Sequence, residues 1–197
     1  MTRPSNPQLI SLIQDIVAEE IQTKGIEGVT IRLIAKRAGI TPTTVYYYFK
    51  SKEELLDKIK FNVARELDDY IFTQLNPNDS AEKKFADLIN AFIDWSIDHP
   101  KLLDLVFDTL PPKTNLTETE MTGLYQTNFK IIELLKKAAI AQGKTTQNIK
   151  ADSNIFIGLV YGVVKLFLNK RVLPEYWEDI TPLKQRMIEM IFNTLLS

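Results

Sequence analysis

The chain has 197 residues, of which 45% are hydrophobic and 25% charged; this is enough for a sizeable core and too apolar for a disordered chain. It holds no cysteine, which excludes a disulfide framework, a thiolate metal site and a cysteine nucleophile. The net charge of −1 hides an asymmetry, since residues 1–60 carry nine Lys/Arg against seven Asp/Glu and the remainder fifteen against eighteen. Local charge therefore says more about partners than the total does.

Apolar residues recur at helical spacing along almost the whole chain, and strand patterns are absent, which predicts an all-α fold of about nine helices. A first helix opens with Asn6 as cap and Pro7 in its first turn, carries a core-facing stripe of Leu9, Leu12, Ile13, Ile16, Val17 and Ile21, and stops at Gly25. Thr30 caps a second, short helix that ends before Gly39. Thr41-Pro42 starts a third, with room for about two turns before Lys50. Ser51 and Glu54 have the spacing of a capping box for a long fourth helix through Leu55, Ile59, Val63 and Leu67. After the loop at 76–80, five more helices are expected, over about 81–98, 101–110, 117–142, 152–172 and 181–196. His99 reads as a C-terminal cap of the first of these, Pro111-Pro112 as the end of the second, and Thr117 with Glu120 as a capping box for the third.

The N-terminus has no secretory signal pattern. The apolar run at 155–168 is interrupted by Lys165 and reads as too short to span a bilayer. No membrane partner is expected, and the cytoplasm is the expected location. No hydrolase triad, zinc-ligand spacing or phosphate loop is present, so no catalytic residue, metal or cofactor is assigned and an enzyme is not expected.

Between residues 28 and 52 there is no acidic residue, while Arg32, Lys36, Arg37, Lys50 and Lys52 are basic. Two short helices separated by Ala38, Gly39, Ile40 and Thr41 read as a helix-turn-helix, with Ile34, Ala35, Val45 and Phe49 fixing the crossing from within. That leaves Thr41, Pro42, Thr43, Thr44, Tyr46 and Tyr47 on the outward face and helix start, the part of a recognition helix that reaches base edges. A basic surface edged with phenols and hydroxyls suits a phosphate backbone.

These residues resemble the TetR family of bacterial transcriptional regulators. The resemblance lies in Thr30, Ile34, Ala35, Ala38, Gly39, Thr44, Tyr46, Tyr48, Phe49, Ser51, Lys52, Glu53 and Leu55, and covers about residues 10–60. Thr43 departs from the family's common glycine, with Pro42 before it. The resemblance implies a homeodomain-like DNA-binding domain at 1–50, joined by the long fourth helix to a helical effector-binding and dimerisation domain at 51–197. It implies phosphate contacts at Thr30, Lys50, Lys52 and Tyr46 or Tyr47, and base contacts at Arg32, Thr43 and Thr44; for Arg32 a merely solvated position is the alternative. Of the three tyrosines, Tyr48 reads as packing and Tyr47 as the foremost DNA contact.

A helix apolar all round, as at 155–168, needs cover on every side. Ile155, Gly158, Leu159, Gly162 and Leu166, with Leu183, Met187, Met190 and Ile191 of the last helix, are expected to pair with a second copy in a symmetric homodimer. Phe85, Phe92, Trp95, Phe107, Tyr125 and Phe129 could line a pocket for a small, largely apolar or aromatic effector, although for each one singly core packing is the better reading. The resulting expectation is a ligand-responsive repressor that binds a palindromic double-stranded operator as a homodimer. The alternative is a helical protein–protein adaptor that uses its helix-turn-helix heads in assembly.

Overall fold

A computed structural model describes residues 6–107, 117–141 and 143–195, and it is helical throughout, with no strand among the described residues. Ten α-helices follow in order: α1 (Pro7–Lys24), α2 (Ile31–Arg37), α3 (Pro42–Tyr48), α4 (Lys52–Thr73), α5 (Ala81–Asp98), α6 (Pro100–Phe107), α7 (Glu118–Gly123), α8 (Gln126–Ala141), α9 (Ile149–Leu168) and α10 (Thr181–Leu195). Short 3-10 turns at Ile26–Gly28 and Pro174–Tyr176 interrupt two of the connections.

Side-chain oxygens set most of the helix starts. The amide of Leu9 donates to Asn6 Oδ1, that of Leu33 to Thr30 Oγ1 and that of Thr44 to Thr41 Oγ1, each at 3.2 Å. Thr117 and Glu120 form the reciprocal box at α7. At α4 the box is shifted by one residue: Ser51 Oγ accepts from the Glu54 amide at 3.1 Å, but the Glu54 carboxylate takes the amide of Lys50 at 2.8 Å. At α10 the carboxylate of Asp179, two residues before the helix start, accepts from the amide of Thr181 at 2.8 Å.

Four boundaries differ from the sequence expectation. The helix expected at 117–142 is two helices, α7 and α8, parted at Leu124-Tyr125. A Cβ on Gly123 would stand 2.7 Å from the edge of the Phe61 ring, so this glycine admits the ring where α7 ends and supplies the weakest helix former of the stretch. His99 lies directly between two helices: its carbonyl accepts from the amide of Leu103 at 2.9 Å, so it opens α6, which starts at Pro100 and not at Lys101. Pro111 and Pro112 lie outside the described residues. The helix expected at 152–172 is α9, Ile149–Leu168. It stops because Lys170 takes the left-handed conformation (φ 51), letting the amides of Lys170 and Arg171 close on the carbonyls of Phe167 and Leu166 at 2.9 and 2.7 Å.

α9 is also longer than the apolar run suggested. With 20 residues and a mean hydropathy of 1.5 it is long and apolar enough to cross a membrane by length and composition. In this fold one of its faces is core: Ser153, Phe156, Val160 and Val164 are buried.

The described chain divides into two compact units, Met1–Glu66 with His99–Leu124, and Leu67–Asp98 with Tyr125–Ser197. In the first, α1 packs on α2 and α6, and α2 on α3. Ile13, Val17, Ile21, Ile34, Val45 and Leu55 are fully buried there. Leu12, expected on the buried stripe of α1, is 43% exposed; it lies at the margin of a stripe that Ile13, Ile16 and Val17 already fill. Lys101 Nζ donates to the Thr23 carbonyl near the end of α1, and Lys58 of α4 pairs with Glu120 of α7 at 2.8 Å.

In the second unit α5 packs on α8 and α9, and α10 packs on α5 and α9. Phe85 and Phe156 stack at 4.7 Å between ring centroids, and Lys184 of α10 reaches Asp94 of α5 at 2.6 Å. The Thr127 hydroxyl donates to the carboxylate of Asp68, joining α8 to the last turns of α4. Burial pushes the Asp68 carboxyl up from 3.8 to about 6, although the Thr127 hydroxyl and amide favour its charged form. A raised folded-state pKa means that the folded protein holds the proton longer than the unfolded chain. The contribution of Asp68 to stability is therefore full below 3.8 and lost as pH rises through 6. Asparagine keeps an oxygen for the Thr127 hydroxyl and carries no charge. Asp68→Asn is accordingly expected to raise the melting temperature above pH 6, with the gain vanishing toward pH 3.8; thermal melts across that range check it, and a pH-independent effect would contradict it.

Candidate nucleic-acid interface

The connection between α2 and α3 is built by backbone closure. The amide of Gly39 donates to the carbonyl of Lys36 at 3.3 Å, and that of Ile40 to the carbonyl of Ala35 at 3.0 Å, the double closure that ends a helix on a left-handed residue. Gly39 has φ +66, and an added Cβ would meet nothing within 4 Å, so backbone conformation alone, and not crowding, selects glycine here. Two residues later Thr41 caps α3 and Pro42 occupies its first position. Ile34, Ala35 and Val45 are fully buried and Phe49 is 4% exposed, which leaves α3 one orientation relative to α2.

With 100° between successive residues, that orientation turns Thr41, Pro42, Thr43, Tyr46 and Tyr47 outward, while Thr44 is half-buried. Tyr46 and Tyr47 are each 50% exposed. Tyr48 is half-buried and meets the Tyr47 ring edge-on at 5.0 Å, so it braces the phenol beside it. Thr30, Arg32 and Lys50 are exposed and Lys52 is half-buried. The ten residues expected to meet DNA thus belong to the same compact unit, on α2, α3 and the segment leading into α4.

Their chemistry is less uniform than their sequence. The Thr41 and Thr44 hydroxyls lie 3.0 Å apart, and the Thr44 amide also donates to Thr41 Oγ1. The two threonines therefore act as one hydrogen-bonded unit, while Thr43 keeps an independent hydroxyl and methyl facing outward. The five cations also separate. Arg37 donates to Glu19 at 2.6 Å and to Glu20 at 3.4 Å on α1, and Glu19 and Glu20 hold the guanidinium's pKa up. Glu20 is itself buried and is shared with Lys24 at 2.6 Å. Arg32, Lys36 and Lys50 form no ion pair with a described residue. Sequence reading counts Arg37 in the basic face; the structure commits it to holding α2 on α1, and only partners 17 and 18 residues upstream could have revealed that.

The remaining expected positions scatter. Phe85, Phe92 and Trp95 are buried in the second unit, Phe107 is half-buried in the first, Tyr125 is half-buried in the second and Phe129 is 52% exposed. On α9, Ile155, Gly158, Leu159 and Leu166 are exposed and Gly162 is half-buried. On α10, Met190 is exposed and Leu183 half-buried, whereas Met187 and Ile191 are buried inside their own unit and have no face to offer a partner. The second unit also carries an open groove of about 530 Å³, lined by Phe72, Leu75, Pro77, Lys84, Gln126, Phe129, Lys130 and Glu133. Apart from Phe129 this groove was not legible in the sequence, because Phe72, Leu75 and Pro77, from the end of α4 and the loop after it, meet residues of α8 that lie roughly 50 positions further along the chain.

A three-helix head whose third helix turns a polar and aromatic face outward, with no acidic residue between 28 and 52, has the form of a helix-turn-helix. Residues 17–59 match the family described as bacterial regulatory proteins, tetR family. Over 203 residues the chain is 23% identical to the fatty acid metabolism regulator protein of Bacillus subtilis (strain 168), covering 97% of this chain and 95% of that protein. Its fold is similar to that of the transcriptional regulator FadR from Bacillus subtilis in complex with stearoyl-CoA (TM-score 0.69, 17% identity, 92% of this chain and 96% of that one). It is similar also to BioQ with its double-stranded DNA operator (TM-score 0.60, 18% identity, 98% of this chain and 99% of that one). Residues 17–59 thus match the tetR family, and over nearly its whole length the chain is similar in sequence and fold to transcriptional regulators.

The ion pairs make a contrast between two arginines five residues apart. Arg37→Ala is expected to lower the melting temperature and leave the affinity of the folded protein for DNA unchanged. Arg32→Ala should do the reverse, costing roughly 1–3 kcal/mol of sequence discrimination if it reads a guanine edge. Melting curves and DNA titrations of both variants decide the assignment.

Proposed function

We propose that the chain is a ligand-responsive repressor that binds a palindromic operator as a homodimer, with residues 1–50 as the DNA-binding domain and 51–197 as the effector-binding and dimerisation domain. The observation that carries this reading is the outward face of α3, where Thr43, Tyr46 and Tyr47 stand exposed with Lys50 beyond them and no carboxylate between residues 28 and 52. Thr30, Lys50, Lys52 and Tyr47 serve as phosphate contacts that set register. Arg32, Thr43 and the paired Thr41 and Thr44 read bases, with Pro42 and Tyr46 beside them.

The uncovered face of α9 supports the dimer. Ile155 is 67%, Leu166 50% and Leu159 42% exposed, and an added Cβ at Gly158 or Gly162 would meet nothing within 4 Å. A second copy of α9 and α10 covers this face in a four-helix arrangement, with Leu183 and Met190 at its edge. Two recognition helices then enter successive major grooves about 34–36 Å apart. The names of the fatty acid regulator and of the stearoyl-CoA complex support an effector whose recognised part is largely apolar. Such an effector releases the operator by binding the DNA-incompetent arrangement of α4 more tightly than the competent one.

Two measurements test this. In a salt series on duplex DNA, Lys50→Ala and Lys52→Ala are each expected to reduce the slope of log affinity against log salt by about 1, and Tyr47→Ala to weaken binding; unchanged slopes would remove these contacts. Light scattering is expected to show a dimer that Leu159→Asp converts to a folded monomer with weakened operator binding, and a monomeric wild type would contradict the dimer.

A further inference from the structure

The groove in the second unit is built differently from the aromatic interior. Phe72 closes its α4 side, Leu75 and Pro77 come from the connection to α5, Lys84 from the first turn of α5, and Phe129 and Lys130 from α8. Its volume of about 530 Å³ falls within the range of roughly 300–1,000 Å³ of small-molecule sites. Phe85, Phe92 and Trp95 are all buried and none of them lines it, whereas Phe129 stands 52% exposed over it. A phenyl ring left half in water beside two further half-buried apolar side chains offers an apolar ligand surface that it can dehydrate.

The charges on the rim are not balanced. Lys84 Nζ donates to the Pro77 carbonyl at 2.7 Å, and an ammonium has three protons, so two remain for a ligand. Lys130 Nζ reaches Glu133 at 3.0 Å, but that carboxylate also accepts from Lys137 at 2.7 Å. One carboxylate is thus already shared by two lysines, and Lys84 brings a further cation. We infer that this groove is a binding site for an amphipathic anion, an aromatic or aliphatic body lying on Phe72, Leu75 and Phe129 with one carboxylate, sulfonate or phosphate group held by Lys84 and Lys130.

The site deepens the effector reading proposed above and, as regulation, rests on it. Phe72 follows Asp68 by one turn on α4, and Thr127 lies between Gln126 and Phe129 on α8. A ligand wedged between these two helices therefore loads the hydrogen bond from Thr127 to Asp68. α4 is one unbroken helix from there back to Lys52, so strain at its C-terminal end is delivered along a stiff element.

The test uses the full-length protein without DNA and two fluorescent probes with the same ring body, anilinonaphthalene sulfonate and its uncharged counterpart N-phenylnaphthylamine. The wild type is expected to bind the sulfonate saturably. The Lys84→Gln, Lys130→Gln double variant should bind the sulfonate about tenfold more weakly, the size of a charge-assisted hydrogen bond, with the neutral probe changed less than about twofold. Phe129→Ser, at an exposed position, should weaken both probes. Equal sulfonate affinity in the wild type and the lysine variants, tested singly as well as together, overturns the inference. So does loss of binding on Leu159→Asp alone, which would place the probe on α9. Adding operator DNA separates the two levels. Lysine-dependent probe binding that leaves operator affinity unchanged upholds the anion site and removes its role as effector site.

Discussion

The left-handed turn at Gly39 is the constraint on which the rest of the DNA-binding head depends. Its φ of +66 lets the amides of Gly39 and Ile40 close α2 and brings Thr41 into place to cap α3 within the next two residues. A longer connection would let α3 roll. Because it cannot, burying Val45 and Phe49 against Ile34 and Ala35 fixes which residues of a two-turn helix remain outside. Sequence-specific recognition by so short an element requires that rigidity, since a base contact misplaced by a fraction of a turn reads nothing.

The same economy explains how the cations are used. Arg37 spends its charge within the protein, where the buried carboxylate of Glu20 needs a partner, and Arg32, Lys36 and Lys50 keep theirs. The Thr41 and Thr44 hydroxyls are likewise engaged with each other at the start of α3, which Thr41 also caps. Apolar surface is divided in a parallel way. α9 buries Phe156, Val160 and Val164 within its own unit and leaves Ile155, Leu159 and Leu166 for cover from elsewhere.

Much of the head was legible because its signals are local: Asn6, Thr30, Thr41, Ser51 and Gly39 act on neighbours within a few residues. What escaped depends on distant partners. The break between α7 and α8 follows Gly123, a weak helix former that alone does not end a helix; the Phe61 ring packed against it comes from α4. The role of Arg37 depends on α1, and the burial of Met187 and Ile191 on the packing of α10 against α5 and α9. The aromatic residues illustrate the limit most clearly, since spacing alone does not distinguish Phe85, stacked on Phe156 in the interior, from Phe129, standing over an open groove.

The central claim is that α3 reads DNA as one of a symmetric pair. Selection of bound sequences from a random duplex pool tests it most directly. The account predicts enrichment of two inverted half-sites whose centres lie about 10–10.5 base pairs, or a multiple, apart. A pool that stays random, or one that converges on a single half-site without inversion, would contradict it.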